Sequence, residues 1–95
     1  MQNDRFEWDD DKAAENFAKH AISFEVACLA FEDPFAVEWL DNREEYGEDR
    51  FNILSMVDGR LLFVAYTLRD NRTRIISARG AEPYEQRKYH EENAS

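Results

Sequence analysis

The sequence predicts an α+β fold: two helices, an antiparallel meander of about four strands, and a C-terminal helix. Three observations predict it. Apolar residues between positions 10 and 32 recur at helical spacing. Residues 51–79 form runs of β-formers broken by Asp58-Gly59 and Asp70-Asn71. Pro83 then suits the first turn of a last helix. Helices segregated from an antiparallel sheet belong to the α+β class. A length of 95 residues allows one domain, spanning 1–95, with a small two-layered core.

Each element has a local reason. Phe6 and Trp8 alternate with Glu7, as a short strand or extended lead-in does. Asp9 is a plausible N-cap, and Asp10 and Asp11 suit the positive end of a helix over about 10–20. Ala13, Ala14, Phe17, Ala18 and Ala21 would form its apolar face. Ser23 can cap a second helix with the face Phe24, Ala27, Cys28 and Phe31. Asp33-Pro34 ends it, because a residue before proline disfavours the helical region. Val37 and Trp39 alternate with Glu38 and Leu40 as a strand, and 41–49 is an acidic loop. Phe51–Val57 and Leu61–Leu68 are paired by Asp58-Gly59, a two-residue type I′ signal. Asp70-Asn71 turns the chain into a last strand, Thr73–Arg79, and a third helix covers about 82–92.

Charge is unevenly placed. The formal net charge is −9, which speaks against a general nucleic-acid binder. Yet residues 1–49 hold four basic and fifteen acidic side chains, and residues 50–95 eight basic and six acidic. Arg60, Arg69, Arg72, Arg74 and Arg79 face only Asp70 within 60–79. The overall charge therefore leaves room for RNA. It predicts locally steered, salt-sensitive binding and an acidic remainder for a basic protein partner. Cys28 is alone, so no intrachain disulfide or Cys-rich metal site is expected. The longest apolar run, Leu61–Tyr66, is too short to span a bilayer, and the N-terminus lacks signal-peptide features. A soluble cytoplasmic protein is the expectation.

Phe6-Glu7-Trp8-Asp9, Lys12, Asn16, Lys19-His20, Ser23-Phe24-Glu25, Ala27 and Phe31-x-Asp33-Pro34 resemble the start of BrnT toxins. Glu48-x-Arg50, Val64-x-Tyr66-Thr67-x-Arg69 and Arg74-Ile75-Ile76-Ser77-Ala78-Arg79 resemble the sheet of that family, and Glu85 and Tyr89 its terminal helix. The likeness covers about residues 6–89. It implies a RelE-like fold and a type II toxin acting as a ribonuclease. It also implies a BrnA-like antitoxin with a ribbon-helix-helix domain, encoded beside the toxin. The pair would repress its own operon, with operator DNA met only through the antitoxin. The chain departs from the pattern in places. Relatives usually carry Gly after Lys-His, where this chain has Ala21, at a cost of about 1 kcal/mol if the left-handed backbone is kept. Gly80, Glu82, Glu91 and Glu92 stand where many relatives are basic.

Metal-independent RNA cleavage needs a group to take the 2′-hydroxyl proton, one to stabilise the phosphorane, and one to protonate the leaving oxygen. His20 and His90 are far apart, and neither His-x-x-x-His nor a Cys pair occurs, so no metal and no cofactor are expected. Arg79 is the first candidate for phosphate, because its planar donor fork matches that geometry. Arg69 and Arg74 are further catalytic candidates. His20 is the motif histidine, and histidine is the side chain type whose chemistry suits proton transfer near neutral pH. Glu85 and Tyr89 share a helix face at i, i+4: Glu85 as base or as orienter of an arginine, Tyr89 as stacking group or acid. Lys19, Arg50 and Arg72 are RNA-contact candidates. Strict strand alternation puts Ser77 and Arg79 on one face and Arg72 and Arg74 on the other, unless a bulge or strand end intervenes. Phe17, Phe24, Phe31, Trp39, Phe51 and Phe63 are core candidates first, as is Cys28. The competing readings are a decayed toxin that only binds its antitoxin, and an acidic mimic of nucleic acid.

Overall fold

A computed structural model describes residues 1–42, 45 and 47–94. The order is β1 (Phe6–Glu7), α1 (Asp10–His20), α2 (Phe24–Cys28), a 3-10 turn (Leu29–Glu32), β2 (Val37–Asp41), β3 (Arg50–Val57), β4 (Arg60–Arg69), β5 (Arg72–Gly80) and α3 (Pro83–Glu92). The α+β class is as predicted. Residues 43, 44 and 46 of the expected acidic loop lie outside the described residues. No described helix is long and apolar enough to cross a membrane.

The five strands lie in the order β1-β5-β4-β3-β2. β2 to β5 form the antiparallel meander. Asp58-Gly59 and Asp70-Asn71 make its tight turns, all four residues having positive φ, as type I′ geometry requires. The fifth strand was less visible: β1 is two residues long and pairs parallel with Thr73 and Arg74 at the far edge. That pairing is non-local, so local pattern does not reveal it.

Local chemistry sets the helix ends. Asp9 caps α1 by accepting from Asp11 N (2.9 Å) and Lys12 N (3.1 Å). α1 stops at Ala21, whose φ of 59° is left-handed and whose N–H donates to the Phe17 carbonyl at 2.8 Å. Ser23 Oγ accepts from Val26 N at 3.1 Å, half of a capping box. The second helix is shorter than its apolar spacing implied. After Cys28 it tightens into the 3-10 turn, which still carries Phe31 into the core.

Two clusters of apolar side chains lie on opposite faces of the sheet. Phe24 and Ala27 from α2 and Ala13 from α1 pack on Ile53, Val64, Tyr66, Ile75 and Ala78. Phe6, Phe31, Tyr66 and Phe51 form a chain of ring contacts across this side, tilted, edge-on and stacked in turn. On the other face Leu54, Leu61 and Phe63 pack beneath Tyr89 of α3. The expectation of two layers is thus corrected: α3 forms a partial third layer. Asp33 fastens it. Its Oδ2 accepts from Tyr89 Oη (2.7 Å) and Met56 N (2.8 Å), and its Oδ1 from Phe35 N (2.8 Å).

One core assignment is corrected. Phe17 is 55% exposed, and Ala14, Ala18 and Ala21 are also exposed. α1 instead buries Asn16. Its amide accepts from Ala78 N (3.1 Å) and donates to Ala78 O (2.8 Å) and Ile22 O (3.0 Å). The side chain acts as a one-residue strand on the edge of β5 beyond β1. An unpaired backbone pair there would cost about 1–3 kcal/mol per group, enough to fix the rotation of a helix whose one apolar residue on the core is Ala13.

Candidate active site

The site begins with a bulge. Ser77 pairs with Ala65, but the next pair is Ile75 with Tyr66, so Ile76 is an extra residue in β5. Ile75 and Ala78 are therefore both buried on the α1–α2 face, three positions apart rather than two. On the α3 face, Arg72, Arg74, Ser77 and Arg79 now stand together, in register with Arg69, Thr67, Ala65 and Phe63 of β4. Arg50 joins them through its pairing with Thr67. Strict alternation separates these arginines; the bulge unites them.

Arg79 is the most constrained. Its guanidinium lies 4.3 Å from the centroid of Phe63, its cross-strand partner. Nη1 donates to Glu85 Oε1 at 2.8 Å and to the Gly80 carbonyl at 3.1 Å, and Nη2 donates to Glu85 Oε2 at 2.8 Å. Glu85 Oε1 also accepts from Glu82 N at 2.8 Å, which closes the first turn of α3. Burial alone would raise the Glu85 carboxyl. The bonds from Arg79 and Glu82 N outweigh it and hold the carboxyl below its ordinary value. The same carboxylate raises the Arg79 guanidinium further.

A guanidinium has five N–H donors, and Arg79 spends three in these contacts. Its Nε–H and the second Nη2 hydrogen have no partner among the described residues. They lie side by side on one edge of the plane. That edge is a second fork, of the shape that grips two phosphate oxygens. The Arg79 side chain is 27% exposed, enough for a ligand to reach it.

Arg79 and Glu85 line a hollow of about 450 Å³ on the α3 face of the sheet. Asn52, Ala65 and Ser77 are among its floor residues, and Trp39, Tyr84, Lys88, Asp41 and Arg50 stand around it. Tyr84 is 56% exposed. Trp39 is held by Phe63, 5.9 Å between ring centroids, with Lys88 Nζ 4.9 Å from its ring. The hollow thus offers fixed positive charge, aromatic faces and polar side chains together.

The other predicted residues are distributed as follows. Glu48 bridges Arg69 (3.3 Å) and Arg50 (3.4 Å) at the sheet end. Arg74 pairs with Glu7 at 2.8 Å, and Arg72 Nε donates to the Asn3 carbonyl at 2.7 Å. Arg69, Arg72 and Arg74 share the face of Arg79 but do not line the hollow. Tyr89 is buried and bound to Asp33; burial, then that carboxylate, pushes its hydroxyl up to about 12. Lys19 and His20 end α1, on the opposite side of the sheet. Among the described residues no three His, Cys, Asp or Glu side chains gather as a metal-ligand set.

Sequence reasoning missed Tyr84, Asn52 and Lys88, and left Trp39 as core. Tyr84 carried no local signal: consecutive helix residues point about 100° apart, and it reaches the hollow only through where α3 crosses the sheet.

The profile of the family described as "Ribonuclease toxin, BrnT, of type II toxin-antitoxin system" matches residues 8–85. The chain belongs to the BrnT toxin family. A comparison with curated proteins found no match. The BrnT match runs from Trp8, at the start of the fold, to Glu85, the partner of Arg79, and so includes the bulge and most of the hollow. BrnT membership makes RNA the substrate class and an antitoxin the partner class. The hollow brings a guanidinium and aromatic faces together, the kinds of group that hold a phosphate and an unstacked base.

Proposed function

We propose that the chain is an endoribonuclease toxin that cuts RNA in the hollow on the α3 face, without a metal. The observation that carries this reading is the double fork of Arg79, one edge held by Glu85 and the other edge open. Glu85 keeps the guanidinium in place, and the open edge binds the scissile phosphate and stabilises charge on the phosphorane. Tyr84 stacks the neighbouring base. Glu85 is a positioning residue rather than the base, since its carboxylate is tied by three hydrogen bonds and lowered in basicity. His20 takes no part in proton transfer from its place at the end of α1.

The protein works in the cytoplasm and is neutralised by a BrnA-like ribbon-helix-helix antitoxin. The complex represses the operon, reaching DNA through the antitoxin alone. The unequal charge of the two halves supports this division: arginines gather on the RNA face, and acid dominates residues 1–49.

A second reading has an observation of its own. Arg50, Arg69, Arg72, Arg74 and Arg79 all have a protein partner in the free chain. A decayed toxin that only binds antitoxin would show the same pairing. The deciding experiment is expression without antitoxin, with purified chain added to single-stranded RNA in EDTA. The ribonuclease reading expects growth arrest and cleavage; intact RNA and normal growth select the binding module.

A further inference from the structure

Phe17, Val26, Leu29 and Phe35 are exposed large apolar side chains, and all four surround the β3–β4 turn. Two hollows meet there. One, of about 280 Å³, lies between Phe17, Ile22, Val26 and Leu62. The other, of about 530 Å³, lies between Leu29, Pro34, Phe35 and Met56. Both are bounded by Val57 and Asp58, so they adjoin at this turn and make one band of exposed apolar side chains. Phe17 joins the band because Asn16 takes the buried side of α1 and turns Phe17 to solvent.

The charges around the band are one-sided. Glu32 and Asp58 edge the hollows, and Glu25 lies next to Val26 on α2. Asp33 also lines the second hollow, but its oxygens are taken by Tyr89, Met56 N and Phe35 N. Among the described residues, the only basic side chain lining either hollow is Arg60. An apolar groove with an acidic rim fits apolar anchors flanked by Lys or Arg.

We propose that this band is where the antitoxin docks. A segment of it would place apolar side chains in the two hollows and basic side chains against Glu25, Glu32 and Asp58. The occupant's identity rests on the toxin–antitoxin reading above; the location does not. The band lies at the opposite end of β3 from Arg50, about seven residues or roughly 23 Å away. This contact therefore anchors the partner and leaves the RNA hollow uncovered by the anchoring segment.

The test measures affinity between the full chain and the purified product of the reading frame beside its gene. Two apolar double variants, Phe17→Ser with Val26→Ser and Leu29→Ser with Phe35→Ser, should each bind at least about tenfold more weakly. Glu25→Lys with Glu32→Lys should weaken binding and flatten its dependence on salt. Asp58→Asn removes charge yet keeps a residue that tolerates its φ of 50°, and should act in the same direction. All these side chains are exposed, so melting temperature and RNA cleavage by the free variants should stay at wild-type values. Wild-type affinity in both apolar variants overturns the proposal, as does no binding of that product by the wild-type chain. RNA cleavage by the free chain is read separately, so failure of the docking site and failure of the ribonuclease reading give different results.

Discussion

Arg79 of β5 and Glu85 of α3 meet through two parallel hydrogen bonds of 2.8 Å each. The pair joins the third layer to the sheet and fixes a guanidinium that lines the hollow and keeps an edge open. Glu85 is only 3% exposed, and its other bond closes the first turn of α3. Position of the arginine and integrity of the helix start therefore depend on the same carboxylate.

Glu85→Gln should lower stability by about 1–3 kcal/mol, because one charge-assisted bond and the charge itself are lost. It should also change the response to acid. The folded Glu85 carboxyl lies below its ordinary value of 4.5. Its contribution is complete above that value and is lost as pH falls through the folded one. Chemical denaturation between pH 7 and pH 3 should show a steeper acid loss in wild type than in Glu85→Gln. Cleavage at pH 7 should fall in the variant through a lower kcat, as expected of a group that positions rather than contacts substrate.

The two tyrosines of α3 should separate cleanly. Tyr84→Ala removes an exposed stacking face and should raise KM for single-stranded RNA about tenfold or more, while Tyr84→Phe stays near wild type. Tyr89→Phe removes a bond to Asp33, which keeps its two backbone donors. It should cost about 1–2 kcal/mol of stability and leave cleavage per folded molecule unchanged.

His20→Ala should leave the pH–rate profile of RNA cleavage as it is in wild type. The imidazole ends a helix on the far side of the sheet from Arg79. A pH–rate profile altered in this variant would place His20 in proton transfer and require a different site.

Much of this architecture is written locally. Asp58-Gly59, Asp70-Asn71, Asp9, Ser23 and Pro83 mark turns and helix starts through short-range sterics and hydrogen bonds, and the structure has them there. The faces were less legible. Ala13, Ala14, Phe17 and Ala18 define a helix, but Asn16 decides which side is buried, through bonds to a strand 62 residues away. The bulge at Ile76 is similar. Period-two reading separates Arg74 from Arg79, and the one local sign was the adjacent pair Ile75-Ile76, which breaks alternation. Arg79 and Glu85 are each chemically apt in the sequence, Glu85 as base or as orienter of an arginine. That they bind each other, and that Tyr89 binds Asp33 instead, depends on where α3 crosses the sheet.

Ala21→Gly should stabilise the protein by about 1 kcal/mol. Ala21 holds a φ of 59°, which glycine adopts without a Cβ penalty. The position is exposed and outside the hollow, so the gain should appear as a higher denaturant midpoint with unchanged cleavage.

The central claim concerns the open edge of Arg79. Its most direct measurement is the rate of single-stranded RNA cleavage in EDTA by wild type, Arg79→Lys and Arg79→Ala, each corrected for the folded fraction. Lysine keeps the charge but cannot bond Glu85 with one edge and phosphate with the other. The account predicts cleavage by wild type and a loss of about 10²–10³-fold in both variants. Cleavage by Arg79→Lys at the wild-type rate, or wild-type activity that requires a divalent metal, would contradict it.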